Sequence, residues 1–400
     1  MKSKVSSTKI AFNFFLLAVF GSMLSQLPNM LESGMSRYLQ SLWILPILVS
    51  LVRIPTTYIS KYLLIPLFLT CIFCIYCGIC ETIFKSNYIG ADMINIIMSM
   101  TVFFISYIIW KLYGTKKTIM TLNIILLIGA FILSSYVYRH YLANSDIMSQ
   151  IYAFKAKNSM GQLLFSAILI VFLTSDFRNK TIKVISWIIM AYTMIIIMML
   201  KSRATIVTIF FVILYIIFKI KNNRIRAFTI IGSLFFITLL FFSSHFYDIF
   251  VNGIILNTNT IEDLSNIENF NDVSSGRVDR ISSVLPLLPD NLWFGIGNKY
   301  VDCMPIIMIV QYGLFGSFFV FALIYFFWKR IHVLDKASPL YLSCFLLYAT
   351  YLINSLFEAQ APFGPGAKCF LLWVIIGFAL AEKEMFDKHI DKNENLSNIQ

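Results

Sequence analysis

Residues 184–220 read VISWIIMAYTMIIIMML, then KSR, then ATIVTIFFVILYIIFKI. Two continuous apolar runs are joined by three polar residues, Lys201-Ser202-Arg203, and the only charge inside either run is Lys219 near the end of the second. A helix needs about 20 mostly apolar residues to cross the hydrocarbon core of a bilayer. Strands of a closed barrel alternate apolar and polar residues, and these runs do not. The pair therefore reads as two membrane helices hinged by a very short turn.

The same pattern repeats along the chain. Of 400 residues 58% are apolar and only 13% charged, with mean hydropathy +0.78. A soluble domain carries roughly a quarter charged residues. That excludes a soluble enzyme, a secreted disulfide scaffold and a nucleic-acid-binding protein, despite a net charge of +12. The expected fold class is an all-α polytopic membrane protein of about 12 spans. They lie near 10–27, 38–52, 62–80, 91–110, 118–137, 159–174, 184–200, 204–220, 227–243, 304–328, 339–357 and 366–381. The organisation is thus helices 1–9 over residues 1–243, a large outer loop over 244–303, helices 10–12 over 304–382 and a tail over 383–400. The N-terminal run lacks a small-x-small cleavage site and reads as a retained first helix.

Twelve spans place both termini on one side. That side receives 21 of the 32 Lys and Arg residues, leaving 11 for the other. Cytoplasmic loops carry the basic excess, so both termini are expected to be cytoplasmic. Acids run the other way, 13 of 20 on the outer face. Most of the positive charge is an orientation signal. The long outer loop, with a second outer loop near 140–158, is where chemistry is expected, because long ordered loops are uncommon without a function.

Several features of that face could carry chemistry. Arg203 sits in an outer turn, where the basic bias disfavours it; it is either a snorkelling cation or an anion ligand. Ser274-Ser275-Gly276-Arg277-Val278-Asp279-Arg280-Ile281 opens an amphipathic helix, capped by Asp272 or Ser274, with Val278, Ile281 and Leu285 forming one apolar stripe. Arg277 and Arg280, three apart, share a face and could grip a diphosphate, or pair with Asp279 as a solvated face. Gly295-Ile296-Gly297 is either a weak phosphate loop or a tight turn returning the chain to the bilayer, with Trp293 at the interface. Asp302 stands at the mouth of the tenth span as a helix-start acid or a base. Lys157-Asn158 marks where the first outer loop re-enters the membrane. His140 and His245 face outward, and no histidines share a metal-ligand spacing. Cys71, Cys74, Cys77 and Cys80 step by three; on a helix they fan over half the circumference, so they read as packing residues rather than a metal site.

Taken in order, Ser202-Arg203-Ala204, Ser275-Gly276-Arg277, Pro289 through Gly297, Asp302 and Gly313-Leu314-Phe315-Gly316 resemble the O-antigen polymerase and ligase superfamily. The motif order covers roughly residues 155–330, and the span layout extends the resemblance over the chain. It implies a GT-C-like, metal-independent glycosyltransferase without cofactor, acting at the outer face of the bacterial plasma membrane on glycans carried by undecaprenyl diphosphate. Products in such systems are O-antigen, capsule or exopolysaccharide, with a chain-length regulator and a flippase as candidate protein partners. By position, Arg203 and Arg277 are the implied diphosphate ligands. Ligases of the superfamily generally carry a His near the start of the span after the Gly-x-Gly turn; Asp302-Cys303 here resembles the polymerase pattern. The expected catalytic set is Arg203, Arg277 and Asp302, with His245 and Asp279 behind Asp302 as base. The expected substrate contacts are Arg280, Lys157, Asn158, Gly295, Gly297 and His245. The alternatives are an O-antigen ligase or a non-enzymatic lipid-linked oligosaccharide flippase. Flippases usually show internal repeats and Gly/Pro-broken helices; this chain has 17 Gly, 10 Pro and no visible repeat.

Overall fold

A computed structural model describes residues 2–51, 60–84, 88–143, 157–200, 202–219, 221–222, 226, 230, 277–297, 299–334, 338–364 and 366–397. The protein is an all-α polytopic membrane protein, with no strand among the described residues. Its helices are α1 (Lys2–Leu24), α2 (Pro28–Glu32), α3 (Met35–Ser41), α4 (Ile44–Leu51), α5 (Lys61–Phe84), α6 (Ala91–Tyr113), α7 (Lys116–Ala143), α8 (Lys157–Thr174), α9 (Lys180–Met199), α10 (Arg203–Lys219), α11 (Arg277–Val284), α12 (Leu288–Asn291), α13 (Met304–His332), α14 (Pro339–Ser355) and α15 (Phe370–Ser397). Among the described residues six helices, α5 to α9 and α13, contain stretches long and apolar enough to cross a membrane.

Every expected span appears as one helix except the second, the ninth and the tenth, which is interrupted at Gly313 within α13. The ninth, 227–243, lies outside the described residues. The second is broken: α3 ends at Ser41, and α4 begins at Ile44 with Pro46 in its first turn. Proline lacks an N–H and its ring crowds the carbonyl four residues back, which disfavours a helix continuing through 42–46, whereas Pro46 sits without cost in the first turn of α4. The break is packed. Trp43 is fully buried, donates its indole N–H to Ser22 Oγ at 2.7 Å, and meets Phe15 edge-on at 5.7 Å. The last span also differs at its ends: a 3-10 turn, Gly366–Cys369, precedes α15, and the helix runs on through Ser397 across the expected tail.

α15 is the axis of the bundle, with every residue from Phe370 to Ala381 buried. It packs along α6, where the bare Cα of Gly377 lets the backbones approach; a Cβ there would come 2.8 Å from Phe103 O. Without a hydrophobic drive between helices in lipid, such small-residue contacts allow close packing. Around the axis Phe327 meets Phe103 at 5.0 Å and Trp373 at 4.9 Å, both edge to face. Outer helices turn apolar side chains outward instead: on α5, Phe68, Ile75, Ile79 and Ile83 are all exposed. Cys71, Cys74, Cys77 and Cys80 grade from exposed to buried around the same helix.

The two ends of the bundle are chemically distinct. One gathers residues assigned to the inner side: Lys111 pairs with Glu384 at 2.7 Å, and Ser338 donates to Glu382 at 3.1 Å. The other gathers residues assigned to the outer side, Asn158, Ser202, Arg277, Asp302 and Glu358 among them.

Candidate functional site

The site rests on a break in α13. At Gly313 the backbone leaves helical geometry (φ 62°, ψ −173°), which frees carbonyls above it and amides below it. The Gly-x-Gly turn supplies the partners. Ile296 N donates to Val310 O at 2.8 Å and Gly297 N to Gln311 O at 3.0 Å, while Leu314 N donates to Leu292 O at 2.8 Å and Phe315 N to Trp293 O at 3.2 Å. Irregular backbone at membrane depth is tolerated where protein satisfies its polar groups, and here the turn does so. Gly295 (φ 80°) and Gly313 are essential to the fit: a Cβ on Gly295 would lie 2.3 Å from Gln311 O, and one on Gly313 2.3 Å from Trp293 O. Tyr76 Oη, 2.6 Å from Tyr312 O, and Tyr88 Oη, 3.0 Å from Gly295 O, fasten the junction from α5 and its outer end. Gly295 and Gly297, expected among the substrate contacts, are thus occupied in seating the loop on the broken helix, the turn role that the sequence also allowed. Trp293, exposed, packs against Phe315 with the rings tilted, centroids 5.4 Å apart.

From this anchor the chain runs through buried Val301 to Asp302, just before α13. Asp302 receives the arginines of α11. Its Oδ2 lies 2.6 Å from an Arg280 terminal nitrogen and 4.0 Å from Arg277 Nε, and its Oδ1 accepts the Tyr300 hydroxyl at 2.5 Å. The spacing of three did place Arg277 and Arg280 on one face. The apolar stripe of α11 is rotated from the expected one: Val278 and Leu285 are exposed, whereas Val284 is buried and Ile281 and Leu288 pack on the core. The 3-10 turn at Leu285–Leu287 ends the α-helix and shifts the register from Leu285 on. Asp279 is exposed. His245, Asp272 and Ser274 lie outside the described residues.

Arg203, first residue of α10, joins the cluster from the other side. Burial, and after it the Arg277 guanidinium, lower its affinity for its proton, although a guanidinium stays charged in proteins. Among the described residues Arg277 Nε is itself buried without a hydrogen-bond partner. Burial and the bond to Asp302 push the Tyr300 phenol well above its ordinary range, so it remains a donor.

Beneath Arg203 runs a polar chain of which the sequence reading named only Asn158 as a contact. Ser202 Oγ donates to Asn158 Oδ1 at 3.0 Å, Asn158 Nδ2 donates to Glu358 Oε1 at 2.7 Å, and Glu358 Oε2 pairs with Lys368 Nζ at 3.3 Å. The Lys368 side chain is wholly buried. Glu358, Lys368 and Tyr300 were missed because each is a lone polar residue in an outer segment, without a motif. The signal available for Lys368 was a single cation at the start of an otherwise apolar span on the face where cations are disfavoured. Lys157, at the start of α8, is half-buried beside Asn158. Among the described residues no cluster of His, Cys, Asp or Glu could hold a metal ion.

Residues 188–312 match the family model described as O-antigen ligase. The match covers less than a third of the chain, and over those residues the chain is similar to O-antigen ligases. Its limits take in α10 with Arg203, the α11 arginines, the Gly-x-Gly turn and Asp302, stopping at Tyr312, immediately before the break. Glu358 and Lys368 fall outside the match. No curated protein matches the chain. Over residues 188–312, then, this membrane protein is similar to the O-antigen ligase family.

Proposed function

We propose that the protein is a polymerase that transfers a glycan from a polyprenyl diphosphate, such as undecaprenyl diphosphate, to a sugar hydroxyl of a second lipid-linked repeat unit. The observation that carries this is the arginine–carboxylate cluster. Arg280 and Arg277 converge on Asp302 at 2.6 and 4.0 Å, and among the described residues the buried Nε–H of Arg277 lacks an acceptor. Arg203 brings a further guanidinium close to Arg277, and clustered guanidiniums of this kind suit a diphosphate.

In this reading the diphosphate takes the arginine donors, and Arg277 and Arg203 stabilise charge developing on the leaving group. Preorganised cations do this without a metal ion. The incoming diphosphate competes with Asp302 for Arg280 and Arg277, which frees the carboxylate to accept the proton of the attacking hydroxyl. The bond from the anomeric carbon to the diphosphate oxygen breaks, the bond to the acceptor oxygen forms, and the lipid diphosphate leaves. Tyr300 holds Asp302 in place. The chemistry belongs to the outer face of a bacterial plasma membrane, with both termini cytoplasmic.

The description of the matched family favours a second reading, a ligase with a different acceptor; Asp302-Cys303, in place of a histidine at the start of α13, supports the polymerase. A deletion strain complemented with Arg277→Ala tests the reading. The variant should reach normal abundance while long glycan chains disappear; a normal chain-length ladder would contradict it. Loss of attachment with chain length retained would move the function to the ligase.

A further inference from the structure

At the end of the bundle away from the arginine cluster, the start of α7, the segment following α8 and the start of α14 enclose a cavity of about 590 Å³. Lys116, Lys117 and Arg178 stand on its rim, all three exposed. Two carboxylates share the cavity, Asp176 and Glu382, and the second already accepts the Ser338 hydroxyl.

The placement of the lysines is locally unfavourable. The N-terminus of a helix carries partial positive charge and favours anions, yet the first turn of α7 holds Lys116 and Lys117 and no acid. α14, 17 residues long, turns its N-terminus to the same space. Two positive helix ends and three cations therefore converge on the cavity, against two acids and the C-terminal end of α8 at Thr174. The basic bias of an inner face explains the sign of these charges, but not their convergence around a cavity.

The wall below the rim is apolar, with Met120, Leu173 and Leu340. It continues along α7 and α8 onto an exposed apolar surface at Ile124 and Phe172. A polar, cationic mouth above an apolar wall open to the bilayer has the amphipathic profile of a phospholipid. We propose that this cavity binds the phosphate headgroup of an anionic phospholipid, the acyl chains leaving across Met120 and Leu173. Basic pockets between membrane helices on the cytoplasmic side are suited to such headgroups.

The test uses the full-length protein purified in neutral detergent, with phosphatidylglycerol, phosphatidylcholine or inorganic phosphate added separately. Thermal unfolding and native mass spectrometry serve as readouts. Phosphatidylglycerol should raise the unfolding temperature and remain bound in the mass spectrum, whereas phosphatidylcholine and inorganic phosphate should not. K116Q/K117Q/R178Q should weaken phosphatidylglycerol binding about a hundredfold. Lys183→Gln with Lys329→Gln, which removes inner-end cations away from the cavity, should leave binding intact. Should the triple variant fail to fold, Arg178→Gln alone should weaken binding and Arg178→Lys should restore it. Equal retention by wild type and the charge-deleted variants, or an equal shift with inorganic phosphate alone, would overturn the proposal.

Discussion

Asp302 and Arg280, 22 residues apart in sequence, meet at 2.6 Å, and the same carboxylate oxygen lies 4.0 Å from Arg277 Nε. This contact joins the amphipathic helix of the outer loop to the broken transmembrane helix behind it. It follows from two local facts: the spacing of three on α11, and the docking of the Gly-x-Gly turn that fixes where α13 begins.

The arginines should differ in consequence. Among the described residues the buried Nε–H of Arg277 has no acceptor, whereas Arg280 is half exposed and already bonded to Asp302. A charge-assisted hydrogen bond is worth about 1.5–3 kcal/mol, so Arg277→Ala should lower kcat/KM by roughly 10- to 100-fold per bond lost, with Arg280→Ala milder. Arg277→Lys should recover little, because an ammonium lacks the planar fork. Steady-state transfer assays on protein of matched abundance check this.

Tyr300→Phe removes one neutral donor from Asp302 and keeps the ring. A hydrogen bond to a charged carboxylate contributes about 1.5–3 kcal/mol, so activity should fall by roughly 10- to 100-fold. A loss well beyond that range would mean that Tyr300 acts on substrate directly.

The glycines of the turn predict a folding defect rather than a catalytic one. Gly295→Ala and Gly313→Ala each force a Cβ to 2.3 Å from backbone, at positive φ. Both should cut the yield of folded protein sharply in size-exclusion profiles. Gly34→Ala, also at positive φ but with nothing within 4 Å of the added carbon, should be tolerated far better.

The Lys368–Glu358 pair should behave as a buried ion pair. Removing one partner leaves an uncompensated charge and costs about 3–5 kcal/mol, whereas removing both costs much less. Lys368→Met should therefore lower thermal stability strongly, and the double variant with Glu358→Gln should recover most of it. A double variant as unstable as the single would mean that the pair contributes more than mutual compensation.

Much of the architecture was legible because membrane spans announce themselves through length and apolarity alone. One exception, the second span, is broken just before Pro46, which starts a new helix. In the site, Arg277, Arg280 and Asp302 were visible because helical spacing and motif order bring two of them onto one face and place the third at a span mouth. Glu358 and Lys368 were not, since their partnership with Asn158 depends on three segments meeting in space, which no local spacing encodes. The Gly-x-Gly turn was visible as a motif, but its partner, the break at Gly313, was hidden inside a continuous apolar run.

The most direct test of the account is turnover of a lipid-diphosphate-linked oligosaccharide by the purified protein in liposomes, following release of free polyprenyl diphosphate with and without chelator. The account predicts release coupled to glycan elongation, unchanged by chelator and lost in Arg277→Ala. Elongation that survives in Arg277→Ala, or that stops on removal of divalent metal, would contradict it.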